Sequence, residues 1–359
     1  MAKNKIKILW FADNTSHSND LILNLDNKKY KIHLVSFAER ASEVEAAGFT
    51  RLIRNKWLGQ AGSIFVKSNF LKKLSAEIEP DIIYGSYVIG HGYAAAMAKN
   101  PGQKLVVSAL GSDILVKRRL TPYYSYVKKY TLEKADKIHS FSKQISEMID
   151  TAGDYQNKIS TFPMGIKGEF SKPKPRKKRE KFLIYTNRWH RHIYDNITIL
   201  KSVRKIFESG NHHFKLIMAG EGPLTEDYKN FVIQHHLKNH VEFIGKVSYE
   251  KNLEMMRNAD VYISASFSDG TSRSLLETMA CGAFPVVSNI EANKPWIKND
   301  CGYLFEVGSS ADLAKKLENY MQNKFIAEYY LHNYNMINSE GLLKHTIEKF
   351  DKIFKELID

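Results

Sequence analysis

Cysteine is nearly absent from this chain of 359 residues: Cys281 and Cys301 are the only two. Two thiols are too few for a disulfide framework or a zinc cluster. Both lie in apolar or glycine-containing surroundings, as suits small buried side chains in a reducing compartment. Long apolar runs are missing as well. The run from Ile6 to Phe11 is shorter than a signal-peptide core, and no stretch reaches the roughly 20 apolar residues of a membrane-spanning helix. A cytoplasmic protein is expected, soluble or peripheral to a membrane. The loop after the first strand-like run reads Ala12-Asp13-Asn14-Thr15-Ser16-His17, with none of the spaced glycines of a dinucleotide fingerprint, which excludes a dehydrogenase. Zinc-finger spacing, RNA-binding aromatic motifs and a recognition-helix signature are also lacking, so nucleic acid is not an expected partner.

What the chain does have is charge of one sign. Lys and Arg number 53 against 39 Asp and Glu, a formal net charge of +14. That surplus favours anionic partners, and a membrane surface together with a phosphate-bearing substrate fits best. Hydrophobic residues make up 43% and charged residues 26%, an ordinary globular composition. The length suits two domains of roughly 150–200 residues, each with its own core.

Short β-rich runs alternate with helical patterns almost from end to end. Strands are expected at Lys5–Phe11, Lys31–Phe37, Asp81–Gly85, Lys104–Ala109, Lys137–Phe141 and Lys158–Phe162, with helices at Ser63–Ile78, Tyr93–Lys99, Tyr123–Ala135 and Lys143–Ala152. Ser171–Lys181 follows, in which seven of eleven residues are Lys or Arg and two are Pro. Such a segment reads as an exposed interdomain linker. The alternation then restarts, with strands at Lys181–Thr186, His213–Ala219, His240–Gly245, Asp260–Ala265 and Phe284–Ser288, and helices at Asn196–Glu208, Leu224–His236, Tyr249–Asn258 and Ser272–Cys281. From Ser309 to Asp359 the pattern is helical throughout. Alternation of this kind implies α/β architecture, two doubly wound parallel sheets whose ligands bind at the carboxyl ends of strands. The expected domains are 1–170 and 182–337, joined by the basic linker 171–181, with a last helix at about 338–359 packing back on the first.

The most informative stretch is Ser264–Ile290. A strand ends, Ser268-Asp269-Gly270-Thr271-Ser272 forms a loop, a helix begins, and Gly282-Ala283-Phe284-Pro285 turns into another strand. Asp269, Gly270, Thr271 and Ser272 stand at a helix N-terminus, where unpaired N–H groups and the helix dipole favour a phosphate. Glu277, in the second turn, is placed to accept two ribose hydroxyls. Taken alone, the same residues read as an acidic N-cap and a surface glutamate.

This segment resembles the donor-site signature of the family-4 retaining glycosyltransferases (glycosyl transferases group 1), in which two acidic residues separated by seven others precede a Met-Ala-x-Gly-x-Pro-Val-Val stretch. Asp269 stands where the first is usually Glu, Glu277 matches the second, and Met279 to Val287 supplies the remainder. The resemblance implies a GT-B fold, two Rossmann-like domains facing each other across a cleft. It implies that Glu277 binds the ribose, Asp269 contacts the transferred sugar, and Gly270, Thr271 and Ser272 hold the diphosphate. Gly220-Glu221-Gly222-Pro223 is similar to the family's turn near the base and ribose, and Arg188 falls where the family places a phosphate-binding arginine. The lysine usually found five residues later is Ile193 here, and Arg191 is the substitute, with the neighbouring His190 and His192 taken as surface residues. In the first domain, Gly111-Ser112-Asp113-Ile114 is similar to a loop of these enzymes, although Leu110 stands where a histidine is common. Asp113 either faces the acceptor or caps the next helix. His91 is an acceptor-side group or a structural histidine at a helix start, and Asn14 with Thr15 and Ser16 offers small polar contacts in place of paired glycines.

The resemblance further implies a hexosyl- or N-acetylhexosaminyltransferase that retains anomeric configuration and needs no cofactor or metal. In keeping with this, no Asp-x-Asp follows a strand. Asp269 and Arg188 are the expected catalytic pair, the donor is expected to be a UDP-sugar, and the acceptor a glycan or lipid-linked glycan of a bacterial surface polysaccharide or lipopolysaccharide, with the enzyme at the inner face of the membrane. A non-catalytic nucleotide-sugar-binding relative and a sugar-nucleotide epimerase of the same architecture are the alternatives.

Overall fold

The computed structural model describes residues 5–12, 16–36, 51–54, 64–111, 113–115, 122–168, 170–174, 180–298, 301–322 and 329–359. Two compact units divide the chain, Met1–Lys167 with Leu343–Asp359 and Gly168–Leu342.

The first unit runs β1 (Ile6–Phe11), α1 (Ser16–Asn24), β2 (Tyr30–Ser36), β3 (Arg51–Arg54), α2 (Ile64–Ile78), β4 (Ile82–Ser86), α3 (Gly92–Ala98), β5 (Lys104–Ala109), α4 (Pro122–Lys134), β6 (Lys137–Ser140), α5 (Lys143–Asp150) and β7 (Ile159–Thr161). Its seven strands lie in the order β3-β2-β1-β4-β5-β6-β7, and every pairing is parallel. A parallel sheet is covered on both faces, so its inner strands read as unbroken apolar runs, and every residue of β4 is buried. The elements β3 and α1 were not expected from the sequence. The four residues of β3 include two arginines, which hides an edge strand, and α1 mixes polar and apolar residues without a helical stripe.

Between β4 and α3 the chain makes a tight π-turn, Tyr87–His91, with Tyr87 and Gly90 at positive φ. Gly85 and Gly92 let α3 start directly against β4: a Cβ on Gly85 would sit 2.6 Å from the Gly92 Cα.

The second unit runs β8 (Phe182–Thr186), α6 (Asn196–Glu208), β9 (Phe214–Ala219), α7 (Thr225–Gln234), β10 (Val241–Gly245), α8 (Tyr249–Asn258), β11 (Val261–Ser264), α9 (Arg273–Cys281), β12 (Phe284–Ser288), β13 (Tyr303–Phe305), α10 (Ser310–Gln322) and α11 (Tyr329–Met336). Its sheet, also all parallel, has the order β10-β9-β8-β11-β12-β13. Strand order reverses between β8 and β11, so the loops leaving those two strands flank the topological switch point where such sheets bind ligands. The short β13 was not expected either.

The helical tail is not continuous. After α11 a second π-turn, Ile337–Gly341, ends at an extended Leu342, and the chain returns to the first unit as α12 (Leu343–Ile358). Leu343, Thr346, Phe350, Ile353 and Phe354 form its buried face, the spacing of a helix stripe. Phe350 lies edge-on to Tyr84, His139 and Phe162, at centroid distances of 6.0, 4.8 and 5.2 Å, and Phe354 edge-on to Trp10 at 6.3 Å. On the rim Asp351 accepts from the Tyr30 hydroxyl at 2.7 Å and pairs with Lys29 at 3.2 Å. Of the basic linker, residues 171–174 and 180–181 are exposed or half-buried, and 175–179 lie outside the described residues.

Because the last helix completes the core of the first unit, Phe350→Ala is expected to cost about 3–5 kcal/mol. Urea unfolding followed through Trp10 fluorescence measures it, and a loss well below 1 kcal/mol would mean that α12 is dispensable to that core.

Candidate active site

The loops after β8 and β11 bring the sequence-predicted polar residues of the second unit together around one guanidinium. Arg188 donates from Nη2 to Asp269 Oδ2 at 2.7 Å and from Nη1 to Ser272 Oγ at 3.2 Å. Its plane lies over the Tyr194 ring, 4.3 Å from the centroid. The side chains of Arg188 and Asp269 are only 11% and 20% exposed. Burial works against the charge on Arg188, but the Asp269 carboxylate, with Tyr262 and Tyr194 beside it, holds its pKa above the ordinary value. Arg188 therefore keeps its charge, and its hydrogen bonds to Asp269 and Ser272 are of the strong, charge-assisted kind.

Asp269 spends its other oxygen on the N–H of Gly270, at 2.9 Å. Ser272 caps α9, its Oγ accepting from the Leu275 N–H at 3.4 Å. Gly270, Thr271 and Ser272 are buried at this helix start. One turn further, Glu277 is buried too, 5% exposed. Below it stand Tyr185 and Tyr262, paired across β8 and β11. Burial raises the pKa of both hydroxyls, Tyr262 to about 12, and the Glu277 charge adds to the effect. Their hydroxyls tie down the start of the β8 loop: Tyr185 donates to Asn252 and Tyr262 to Asn187, each at 2.8 Å, while Asn187 donates to Asn252 at 2.9 Å.

The Gly220–Pro223 turn leaves β9 and packs on the Arg188 loop. Gly220, with φ at +106°, could not carry a Cβ without meeting the Arg188 carbonyl at 2.9 Å, and a Cβ on Gly222 would meet that of His190 at 2.4 Å. Both glycines are thus needed for close approach of two backbones.

His190 corrects the sequence reading. Expected at the surface, it is fully buried. Its N–H donates to Glu221 at 3.2 Å, its carbonyl accepts from Leu224 at 3.1 Å, and Nδ1 lies 2.8 Å from Thr225 Oγ1. That same hydroxyl accepts from the Gly222 N–H at 2.9 Å, so it is placed to donate to Nδ1. Burial lowers the pKa of the ring, which stays neutral. His190 therefore clamps the glycine turn to the arginine loop. His192, by contrast, is exposed as expected.

Arg191 is not drawn into the Asp269 cluster. It is exposed and its guanidinium lies over Trp189, 4.9 Å from the ring centroid, while Lys246 lies over the same ring at 5.7 Å. Trp189 itself is 50% exposed. Ile193, at the position where the resemblance calls for a lysine, is exposed and its carbonyl accepts the Phe267 N–H at 2.9 Å, joining the β8 and β11 loops. The tyrosines, Trp189 and Lys246 were missed in the sequence. The available signal was a tyrosine one or two residues before the end of each of two switch-point strands.

In the first unit the expected residues do different work. Asp113 neither caps α4, which begins nine residues later, nor stands exposed: it is 2% exposed. Its carboxylate accepts from the N–H groups of Val88 at 2.8 Å, Gly111 at 3.0 Å and Leu110 at 3.2 Å. It staples the β5 loop to the β4 loop. Burial outweighs those bonds and raises its pKa. His91 is half-buried and stands at the N-cap position of α3. Asn14, Thr15 and Ser112 lie outside the described residues, and nothing of the Ser16 side chain is described. Among the described residues no three His, Cys, Asp or Glu side chains cluster as metal ligands.

His190→Ala should destabilise the second unit by about 1–3 kcal/mol, since it leaves the Thr225 hydroxyl without the acceptor for its proton. The buried ring is neutral, so wild-type stability is fully present above the ordinary histidine pKa of about 6.5 and declines as pH falls below it. Denaturant titrations from pH 7.5 to pH 5 should show a shallower decline for the variant, and equal slopes would refute the clamp.

The family model for glycosyl transferases group 1 matches residues 167–336, and the glycosyl transferase 4-like model matches residues 7–142. An uncharacterized glycosyltransferase of Methanocaldococcus jannaschii is 25% identical over 322 residues, covering 86% of this chain and 74% of its own. Among solved structures, a glycosyltransferase from Rickettsia africae superposes with a TM-score of 0.81 at 15% identity, over 99% of this chain and 100% of that one. Anabaena HepE, solved in complex with UDP, gives 0.80 at 14% identity over 98% and 100%. These superpositions carry the fold, two Rossmann-like units of the GT-B type. The two family models take in more than four-fifths of the chain, and the loops of Arg188 and Asp269 lie inside the first of them: residues 167–336 belong to the group 1 glycosyl transferases, residues 7–142 to the glycosyl transferase 4-like family, and the chain is a glycosyltransferase.

Proposed function

We propose that the protein moves a sugar from a UDP-sugar to a glycan or lipid-linked acceptor in bacterial surface polysaccharide synthesis, with retention of anomeric configuration and without a metal, at the inner face of the membrane. The observation that carries this reading is the buried Arg188, fixed by Asp269 and Ser272 at the N-terminus of α9. A departing diphosphate needs positive potential at its oxygens. A guanidinium fixed in one plane beside the positive end of a helix supplies it. These residues do in protein what a divalent cation does in sites built on acidic clusters.

In the reaction the bond from the anomeric carbon to the diphosphate oxygen breaks, and the acceptor oxygen forms its bond on the same face. A donor phosphate oxygen takes the acceptor proton. Glu277 accepts the ribose hydroxyls, and Asp269 both orients Arg188 and meets the transferred sugar. The UDP seen with the Anabaena protein of the same fold supports the uridine base. The membrane side of the reading rests on the net charge of +14.

Binding and slow hydrolysis across a panel of nucleotide sugars tests it, with wild type, Glu277→Gln and Arg188→Lys, each with and without EDTA. One UDP-sugar should bind and turn over whether or not EDTA is present. Arg188→Lys, which keeps the charge but loses the planar fork, should lower turnover by roughly a hundredfold, and Glu277→Gln should weaken binding of the donor. Loss of activity in EDTA, or an inverted product by NMR, would overturn the proposal.

A further inference from the structure

Helix α4 turns its buried side, Val127, Thr131 and Leu132, toward the first unit and its aromatic side outward. Tyr123 and Tyr126 are 55% and 59% exposed, the most exposed large hydrophobic side chains among the described residues. They stand three positions apart, on one face of the helix. Behind them Tyr130 completes the stripe, 6.1 Å from Tyr126 between ring centroids, and Tyr124 lies 5.6 Å from Tyr123. Singly exposed apolar residues are ordinary on any surface. A row of tyrosines on one short helix is not.

The charge along the helix is mostly positive. Pro122–Lys134 holds three lysines, Lys128, Lys129 and Lys134, against the single acidic residue Glu133. On the helix itself Lys129 lies 3.8 Å from Glu133, and Lys134 sits over the Tyr130 ring. Lys128 is half-buried beside the stripe. Tyrosine is a side chain of the membrane–water interface, its ring at headgroup depth and its hydroxyl in water, and lysines near an anionic leaflet add attraction that salt screens. A neutral glycan lying on the rings would need no such surplus of cations.

We propose that this face of α4 docks on an anionic lipid bilayer, with Tyr123 and Tyr126 entering the headgroup layer and Lys128 and Lys129 facing lipid phosphates. Helix α4 follows β5 and so begins at the carboxyl edge of the first sheet, the edge where an open parallel sheet takes its ligand. Docking there brings the binding edge of the first unit to the surface that carries a lipid-linked acceptor. The inference deepens the reading of a membrane-borne acceptor and rests on it.

Co-sedimentation with phosphatidylcholine vesicles, with and without phosphatidylglycerol, tests the surface with no substrate present. Wild type should bind the anionic vesicles, release in high salt, and ignore pure phosphatidylcholine. Tyr123→Ser/Tyr126→Ser and Lys128→Glu/Lys129→Glu should each weaken binding by about tenfold, while thermal melting and UDP-sugar hydrolysis stay at wild-type values. Equal binding of wild type to both vesicle types overturns the proposal, as does undiminished binding of both variants. Variants that bind vesicles normally but lose a soluble glycan acceptor overturn it in favour of a sugar platform. Because hydrolysis of the donor is read separately, a failure of the lipid surface is distinguishable from a failure of the glycosyl-transfer reading.

Discussion

Every strand in both sheets runs parallel to its neighbours, and from this constraint most of the remainder follows. A parallel connection must leave the carboxyl edge, cross a face and return, so helices cover both faces and the strands between them carry no polar side. Trp10, Tyr185 and Tyr262 are fully buried inside strands for this reason. Polar chemistry is pushed to the loops, and at the switch point two loops diverge and leave room between them. In the second unit those are the loops after β8 and β11, which bear Arg188 and Asp269.

What holds the two loops together is electrostatic and could not be purely apolar. An arginine only 11% exposed needs groups that answer its charge, or burial would favour its loss from the site altogether. Asp269, Ser272 and the Tyr194 face answer it together. The remaining ties are backbone contacts with no slack: glycines at 220 and 222 against the Arg188 and His190 carbonyls, and Phe267 on Ile193. The ties that aim the Arg188 guanidinium are therefore all made within the chain itself, the condition for electrostatic stabilisation without reorganisation.

The fold was largely legible because its strands obey one rule. Lys104–Ala109, Phe284–Ser288, Asn196–Glu208 and Tyr249–Asn258 begin and end where the sequence places them. What escaped was short or irregular: β3 with its arginines, β13 with three residues, and the π-turn Ile337–Gly341 that interrupts the helical tail. The site was legible where one local stretch carries it, from Asp269 to Glu277. It was not legible where tertiary contacts decide. His190 looked like a surface residue beside other polar residues, yet a turn 30 residues further along closes over it. Asp113 looked like a cap or a ligand group, yet its three backbone donors come from two different loops. A sequence window shows neither the closing turn nor the second loop.

Two of the departures from the family pattern, Asp269 for glutamate and Ile193 for lysine, bear on one electrostatic balance. Arg188 and Asp269 together are neutral, and the position five beyond Arg188 adds no cation. In the proposed function, a diphosphate with about two negative charges draws on the helix start of α9 and on cations outside the pair. Arg191 and Lys246 are exposed cations, both held over the ring of Trp189, the residue that follows Arg188. The indole holds them over its face by a weak attraction, of order 1 kcal/mol at an exposed site, which a phosphate oxygen outbids with ease. In the proposed function, cations held over a neighbouring ring stand in for the lysine absent at 193, while the Asp269 carboxylate stays on Arg188 at 2.7 Å and keeps the guanidinium aimed.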